Sequence, residues 1–170
     1  MNAPTTTPLI GAEQAALMRR RVSIIVGSSD AHHRPHVMRA IGCRLADDLR
    51  AVTVFMTPSS SAQVLADLRS NGRIAVVFSE PSTNRTVQFK GSDATVMPVA
   101  PGDDALVDRY LRNFVDEIGG LGFRAEVAHA ILGRRDAGDV VAVRFTPSAG
   151  YEQTPGPTAG DELASAGRHA

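Results

Sequence analysis

Apolar and polar positions change their spacing several times along the chain, and each change marks an element. Residues 12–21 are strong helix formers and predict a short helix. Residues 22–28 predict a first strand, closed by a polar loop through Asp30 and His33. The run 36–44 alternates throughout, so a single strand is expected, with Val37, Arg39, Ile41 and Cys43 on one face and Met38, Ala40, Gly42 and Arg44 on the other. A turn at 46–49 leads to a third strand at 51–56. Thr57-Pro58-Ser59-Ser60-Ser61 then breaks the strand and opens a helix whose stripe is Val64, Leu65 and Leu68, stopped at Asn71-Gly72.

Residues 74–78 are β-branched and apolar, the mark of a buried strand, and 86–96 predict a long strand bent at Gly91. Pro101-Gly102-Asp103 begins the most periodic helix, with Leu106, Tyr110, Leu111, Phe114, Val115 and Ile118 on its apolar side and Gly119-Gly120 as its stop. A shorter helical piece covers about 124–132, and 140–145 is the last expected strand. Six largely sequential strands with helices between them predict an α+β fold, an antiparallel barrel-like sheet with peripheral helices. A Rossmann fold needs strict strand–helix alternation and a Gly-rich first turn, and the chain has neither. The expected organisation is a flexible N-terminus over 1–11, one domain over 12–150, and an irregular Pro/Gly-rich tail over 151–170 whose last ten residues are dispensable to the fold.

Composition narrows the function. Eighteen basic and eighteen acidic residues cancel, so the chain lacks the basic footprint of a nucleic-acid binder. One cysteine, Cys43, builds neither a disulfide framework nor a multi-cysteine zinc site. Arg19-Arg20-Arg21 precedes an apolar patch too short for a signal segment, so the expected location is the cytoplasm, with no membrane partner.

Two features carry candidate chemistry. A helix opening on Ser59, Ser60 and Ser61 offers unpaired N–H groups, the positive end of the dipole and hydroxyl donors, all suited to an anion. The offset between Ser60 and Gln63 also suits a capping box, and the two roles are compatible. Arg39 shares a face with Val37 and Ile41, and an arginine there calls for an anion: a phosphate held bidentately, or an aspartate such as Asp47 or Asp48. His32, His33 and His36 cluster near Asp30, but a single polar loop is a weak metal set, and no metal is expected. Cys43 reads as a small core residue.

Taken in order, these segments resemble the pyridoxamine 5′-phosphate oxidase-like family. The run Arg39-Ala-Ile-Gly-Cys-Arg44 is similar to its Arg-x-Val-Leu-Leu-Lys motif. Phe55-Met56-Thr57 and the serines that follow resemble its Phe-Phe-Thr and Ser-Arg-Lys segment. Residues 80–91 resemble its Glu-Pro…Asn-Arg-Gln-Val-x-x-x-Gly hairpin, and Gln153-Thr154-Pro155-Gly156-Pro157 the ending of small members. The resemblance implies a six-stranded FMN-binding split β-barrel, a homodimer with FMN at the subunit interface, and electron transfer from NADH or NADPH to a small acceptor. It places Arg39, Ser59, Ser60 and Ser61 at the flavin phosphate, Arg44 near the ring, Met56 and Thr57 at the ring edge, and Thr86 at the flavin-contacting glutamine position with Gln88 two residues on, and it counts Gln63 among the cofactor-binding positions.

The chain departs from the motif in having Ala62-Gln63 where the family has Arg-Lys, and it lacks any tryptophan and the oxidase's substrate-binding C-terminal segment. A small flavin reductase or general-stress-type flavoprotein therefore fits better than a true oxidase. The competing readings are a non-enzymatic flavin carrier or sensor, a barrel using haem or a deazaflavin, and a barrel with no cofactor.

Overall fold

The computed structural model describes residues 8–133 and 138–163. In chain order these form α1 (Ala12–Met18), β1 (Ser23–Ser29), β2 (Pro35–Arg39), β3 (Cys43–Leu45), β4 (Val52–Met56), α2 (Pro58–Asn71), β5 (Ile74–Ser79), β6 (Thr86–Gly91), β7 (Thr95–Met97), α3 (Asp103–Gly120), α4 (Ala125–Leu132), β8 (Val141–Phe145) and β9 (Ala149–Glu152). The strands make two antiparallel sheets, one of five in the order β2-β1-β5-β6-β9 and one of four in the order β3-β4-β8-β7. The α+β class stands, but the described residues hold nine strands rather than the six expected, and the two sheets do not close into one barrel.

Two expected strands are each split between the sheets, which accounts for most of the difference. The alternating run 36–44 leaves the five-stranded sheet after Arg39 and joins the four-stranded sheet at Cys43. Ala40 N–H still bonds Ile24 O while Ile41 N–H bonds Phe55 O, so the change of sheet takes place within one residue. Gly42 permits it: its φ is +149°, and a Cβ there would sit 3.2 Å from the Phe55 ring. Arg39 and Arg44, placed on one strand by their spacing, therefore belong to different sheets. The run 86–96 is divided in the same way after Gly91, where a Cβ would meet Phe145 at 2.8 Å and Thr146 O at 2.9 Å. A bend in one strand cannot keep the alternation in step across such a corner.

The main core lies between the sheets, with Ile24, Val26, Val54, Val76, Phe78 and Phe89 fully buried. Strand β4 is buried on both faces, because α3 covers its outer side and forms a smaller cluster of Ile41, Phe55, Val107, Val140 and Ala142. Helix α2 packs on β1 and β2 and ends at Gly72 in the left-handed region, as Asn71-Gly72 predicts. Helix α3 runs through Gly119 and Gly120 rather than stopping before them.

The described residues next to each terminus take part in the packing. Within the segment expected to be flexible, Ile10 is 1% exposed in the core, while residues 1–7 lie outside the described residues. The tail expected to be irregular begins as β9, paired with β6. It then folds back so that Glu152 N–H bonds Asp161 O and Leu163 N–H bonds Gly150 O. Residues 161–163, inside the segment expected to be dispensable, are thus bound to the sheet. Residues 164–170 lie outside the described residues. No helix among the described residues is long and apolar enough to cross a membrane.

Candidate functional site

Strand β4 delivers the chain directly to the start of α2, with Thr57 as N-cap and Pro58 at the first helical position, where its missing N–H costs nothing. The Ser60–Gln63 capping box does not form because the helix starts earlier than that offset assumes, and Gln63 lies exposed on the first turns. The Thr57 side chain makes no cap bond. The three serines have separate fates. Ser59 Oγ–H donates to Asp139, and Ser60 Oγ–H donates to Thr57 O at 3.3 Å. Ser61 has non-helical angles (φ −113°, ψ 15°) and is 1% exposed, and its buried hydroxyl has no hydrogen-bond partner among the described residues. A buried hydroxyl left unpaired costs about 1–3 kcal/mol, so this donor is available to an acceptor that enters from outside the chain.

The crossing at 40–42 brings the backbone at the end of β2 close to the start of α2. Ile41 N–H bonds Phe55 O two residues before Thr57, so the start of α2 lies beside the end of β2. Arg39 donates from Nη1 to Ser23 Oγ at 2.7 Å and lays its guanidinium over the Phe114 ring, 5.3 Å from the centroid. It has no carboxylate partner among the described residues: neither Asp47 nor Asp48 pairs with it. Beside it, the Tyr110 hydroxyl is also buried and unpartnered. Burial raises the Tyr110 pKa well above that of free tyrosine, and the charge of Arg39 opposes the shift only in part.

A line of hydroxyls runs across the five-stranded sheet from Arg39. The register pairs Ser23 with Ser79 and Ser79 with Thr86, and Ser79 Oγ and Thr86 Oγ1 share a hydrogen bond of 2.8 Å. Thr86 N–H in turn donates to Thr154 Oγ1 at 3.0 Å. Gln88 lies one alternation further along the same face, opposite Val77 and Tyr151. Ser23, Ser79 and Thr154 escaped the sequence reading. The available signal was the period-two spacing of Ser23 from Ile25 and of Ser79 from Val77, which puts those two hydroxyls on the face away from the core, whereas Thr154 lies past the end of β9.

The remaining candidates lie apart. Arg44 donates from Nε to Asp103 Oδ1 at 3.0 Å at the start of α3, where the buried Asp103 also accepts from Ala100 N–H. Met56 is fully buried in the main core. Cys43 is partly exposed as a residue, but its thiol points inward toward Met18 O, and burial pushes its pKa up to about 12, which makes it a poor nucleophile. Of the histidine loop, Asp30 accepts from His32 N–H and from Arg34, and backbone hydrogen bonding from Arg34 lowers its pKa. His36 is bound to Asp67 on α2 instead.

No protein-family model and no curated protein matches the sequence. Solved structures do match. HupZ of Group A Streptococcus aligns with a TM-score of 0.55 at 17% identity, over 89% of this chain and 99% of that one. A pyridoxamine 5′-phosphate oxidase-related, FMN binding protein from Nostoc punctiforme aligns at a TM-score of 0.50 and 11% identity, over 92% and 87%. The chain has the fold of the pyridoxamine 5′-phosphate oxidase-like proteins. A Clostridium acetobutylicum protein related to general stress protein 26 of B. subtilis shares that fold, at a TM-score of 0.50 and 17% identity over 86% of this chain and 89% of that one.

Proposed function

We propose that the protein binds FMN and acts as a flavin-dependent oxidoreductase, taking electrons from NADH or NADPH and passing them to a small acceptor. In this reading it works as a cytoplasmic homodimer with the flavin between subunits. The observation that carries it is the Ser61 hydroxyl, buried and unpartnered in the first turn of α2, beside a strand end whose Arg39 has no carboxylate partner among the described residues. Each of these groups is suited to a phosphate oxygen. The fold of an FMN binding protein supports the choice of ligand.

Ser61, Arg39 and the N-terminus of α2 hold the phosphate, while Thr86 and Gln88 line the sheet face toward the ring. Arg44 enters only as the partner of Asp103, and Met56 and Gln63 have no side-chain part. Asp139, bonded to Ser59, sets a negative charge at the rim of the phosphate site and weakens it. When bound, the flavin supplies the redox chemistry, and the chain supplies anion binding and orientation.

Parallel titrations with FMN and riboflavin test the phosphate site. FMN is expected to bind about tenfold tighter or more, the worth of one good charge-assisted contact. Equal affinities would remove Arg39 and Ser61 from ligand binding. Turnover of NADH or NADPH by flavin-loaded protein separates an enzyme from a carrier.

A further inference from the structure

The four-stranded sheet ends on β3, which has no neighbour on its outer side among the described residues. The register pairs Cys43 with Val54, Arg44 with Thr53 and Leu45 with Val52. The bonds on either side, Phe55 N–H to Gly42 O and Ala46 N–H to Ala51 O, set the alternation, so Arg44 carries the main-chain bonds to β4. Cys43 and Leu45 therefore turn their N–H and C=O groups away from β4. None of these four groups has a partner among the described residues.

That edge lines a cavity of about 530 Å³ between the end of α1 and α3. Arg19 enters it from α1, Arg109 and Asn113 from α3, and Leu45 and Leu106 give it apolar surface. Arg44 also reaches it, with its charge met by Asp103. Arg19 and Arg109 have no carboxylate partner among the described residues. Both charges act on the Cys43 thiol, so two unneutralised cations converge on one strand edge.

We propose that the β3 edge is a docking site for an acidic peptide in extended conformation, which adds to the sheet as one further strand. Its main chain meets the outward N–H and C=O groups of Cys43 and Leu45, and its carboxylates meet Arg19 and Arg109. A simple anion would leave the two carbonyls without a donor, whereas a peptide supplies donors and acceptors together. A second copy of this chain is a poor occupant, because pairing β3 with β3 would bring these unneutralised cations against their own counterparts. Ser61, Arg39, Thr86 and Gln88 line no part of this cavity, so the reading stands apart from the flavin.

The test is an amide chemical-shift titration of the full chain with the peptide acetyl-Ala-Glu-Asp-Glu-Ala-amide, and with its Gln-Asn-Gln version as the uncharged counterpart. The acidic peptide is expected to move the Cys43 and Leu45 amides saturably, and the uncharged one to bind about tenfold more weakly or worse. The double variant Arg19→Gln, Arg109→Gln changes two exposed side chains, keeps its melting temperature, and is expected to show the same loss of about tenfold. Methylating the main-chain nitrogens of the acidic peptide keeps its charge and is expected to abolish saturable binding, since the β3 carbonyls lose their donors. An absent or unsaturable shift at Cys43 and Leu45, unchanged affinity in the double variant, or equal binding of the methylated peptide would each overturn the proposal. Peptide affinity is expected to be the same with and without FMN. Competition between the two would merge this edge with the flavin site and overturn the claim of a separate one.

Discussion

Arg39 stacks its guanidinium on the ring of Phe114, so a residue at the end of β2 and one in the middle of α3 share a contact across the edge of the five-stranded sheet. The ring holds the fork in place, and the hydrogen bond to Ser23 fixes its direction. Arg39→Ala is therefore expected to weaken FMN binding by about 2–4 kcal/mol, because the phosphate loses its half-buried, pre-oriented guanidinium partner. Arg39→Lys keeps the charge without the fork and is expected to recover only part of the loss. Fluorescence titration with FMN checks both, and an unchanged affinity in Arg39→Ala would retire the assignment.

Ser61 separates stability from binding. Its buried hydroxyl has no partner among the described residues, so Ser61→Ala is expected to leave stability unchanged or raise it by up to about 1 kcal/mol, while lowering FMN affinity. Thermal melts without FMN, paired with an FMN titration, read the two effects separately. A marked fall in melting temperature without FMN would mean that Ser61 serves the fold instead.

How much of this was legible in the sequence depends on where the chain turns corners. Inside single elements the periodicity was enough: β1, β4, β5, α2 and α3 lie close to where the spacing puts them. It failed at Ala40–Gly42 and after Gly91, where the alternation continues through a change of sheet. Strand β9 has only Ala149, Gly150 and Tyr151 before Glu152, too little pattern to signal a strand, and it exists because β6 offers it an edge. The site was half legible. The serine cluster and Arg39 stand out by residue type, but the pairing of Arg44 with Asp103 joins residues from separate elements, which local spacing cannot reveal.

Asp67 ties α2 to both strands of the first hairpin through Ser28 and His36. Asp67→Ala leaves two polar groups without their acceptor and is expected to cost about 2–4 kcal/mol. Chemical denaturation measures it, and a loss below about 0.5 kcal/mol, typical of a surface change, would contradict that role.

The two buried acids make stability fall in alkali. Cys43 ionises near 9.0 when unfolded and, because burial disfavours the thiolate, only near 12 when folded. Burial of Tyr110 raises its pKa in the folded state too. In both cases the folded state holds its proton longer, so stability is full below about pH 9 and declines above it. Each group contributes about 1.4 kcal/mol per pH unit once its unfolded form is ionised. Tyr110→Phe is expected to flatten the decline above pH 10. A melting-temperature profile that is flat from pH 8 to 11 would contradict the buried placement of both groups.

The most direct measurement is the absorption spectrum of the purified protein after addition of excess FMN and desalting. The account expects flavin bands at about one FMN per chain, lost in Arg39→Ala and reduced in Ser61→Ala. A colourless parent protein would contradict it, and would mean that Ala62-Gln63 and the Asp139 charge have removed the flavin phosphate site from this fold.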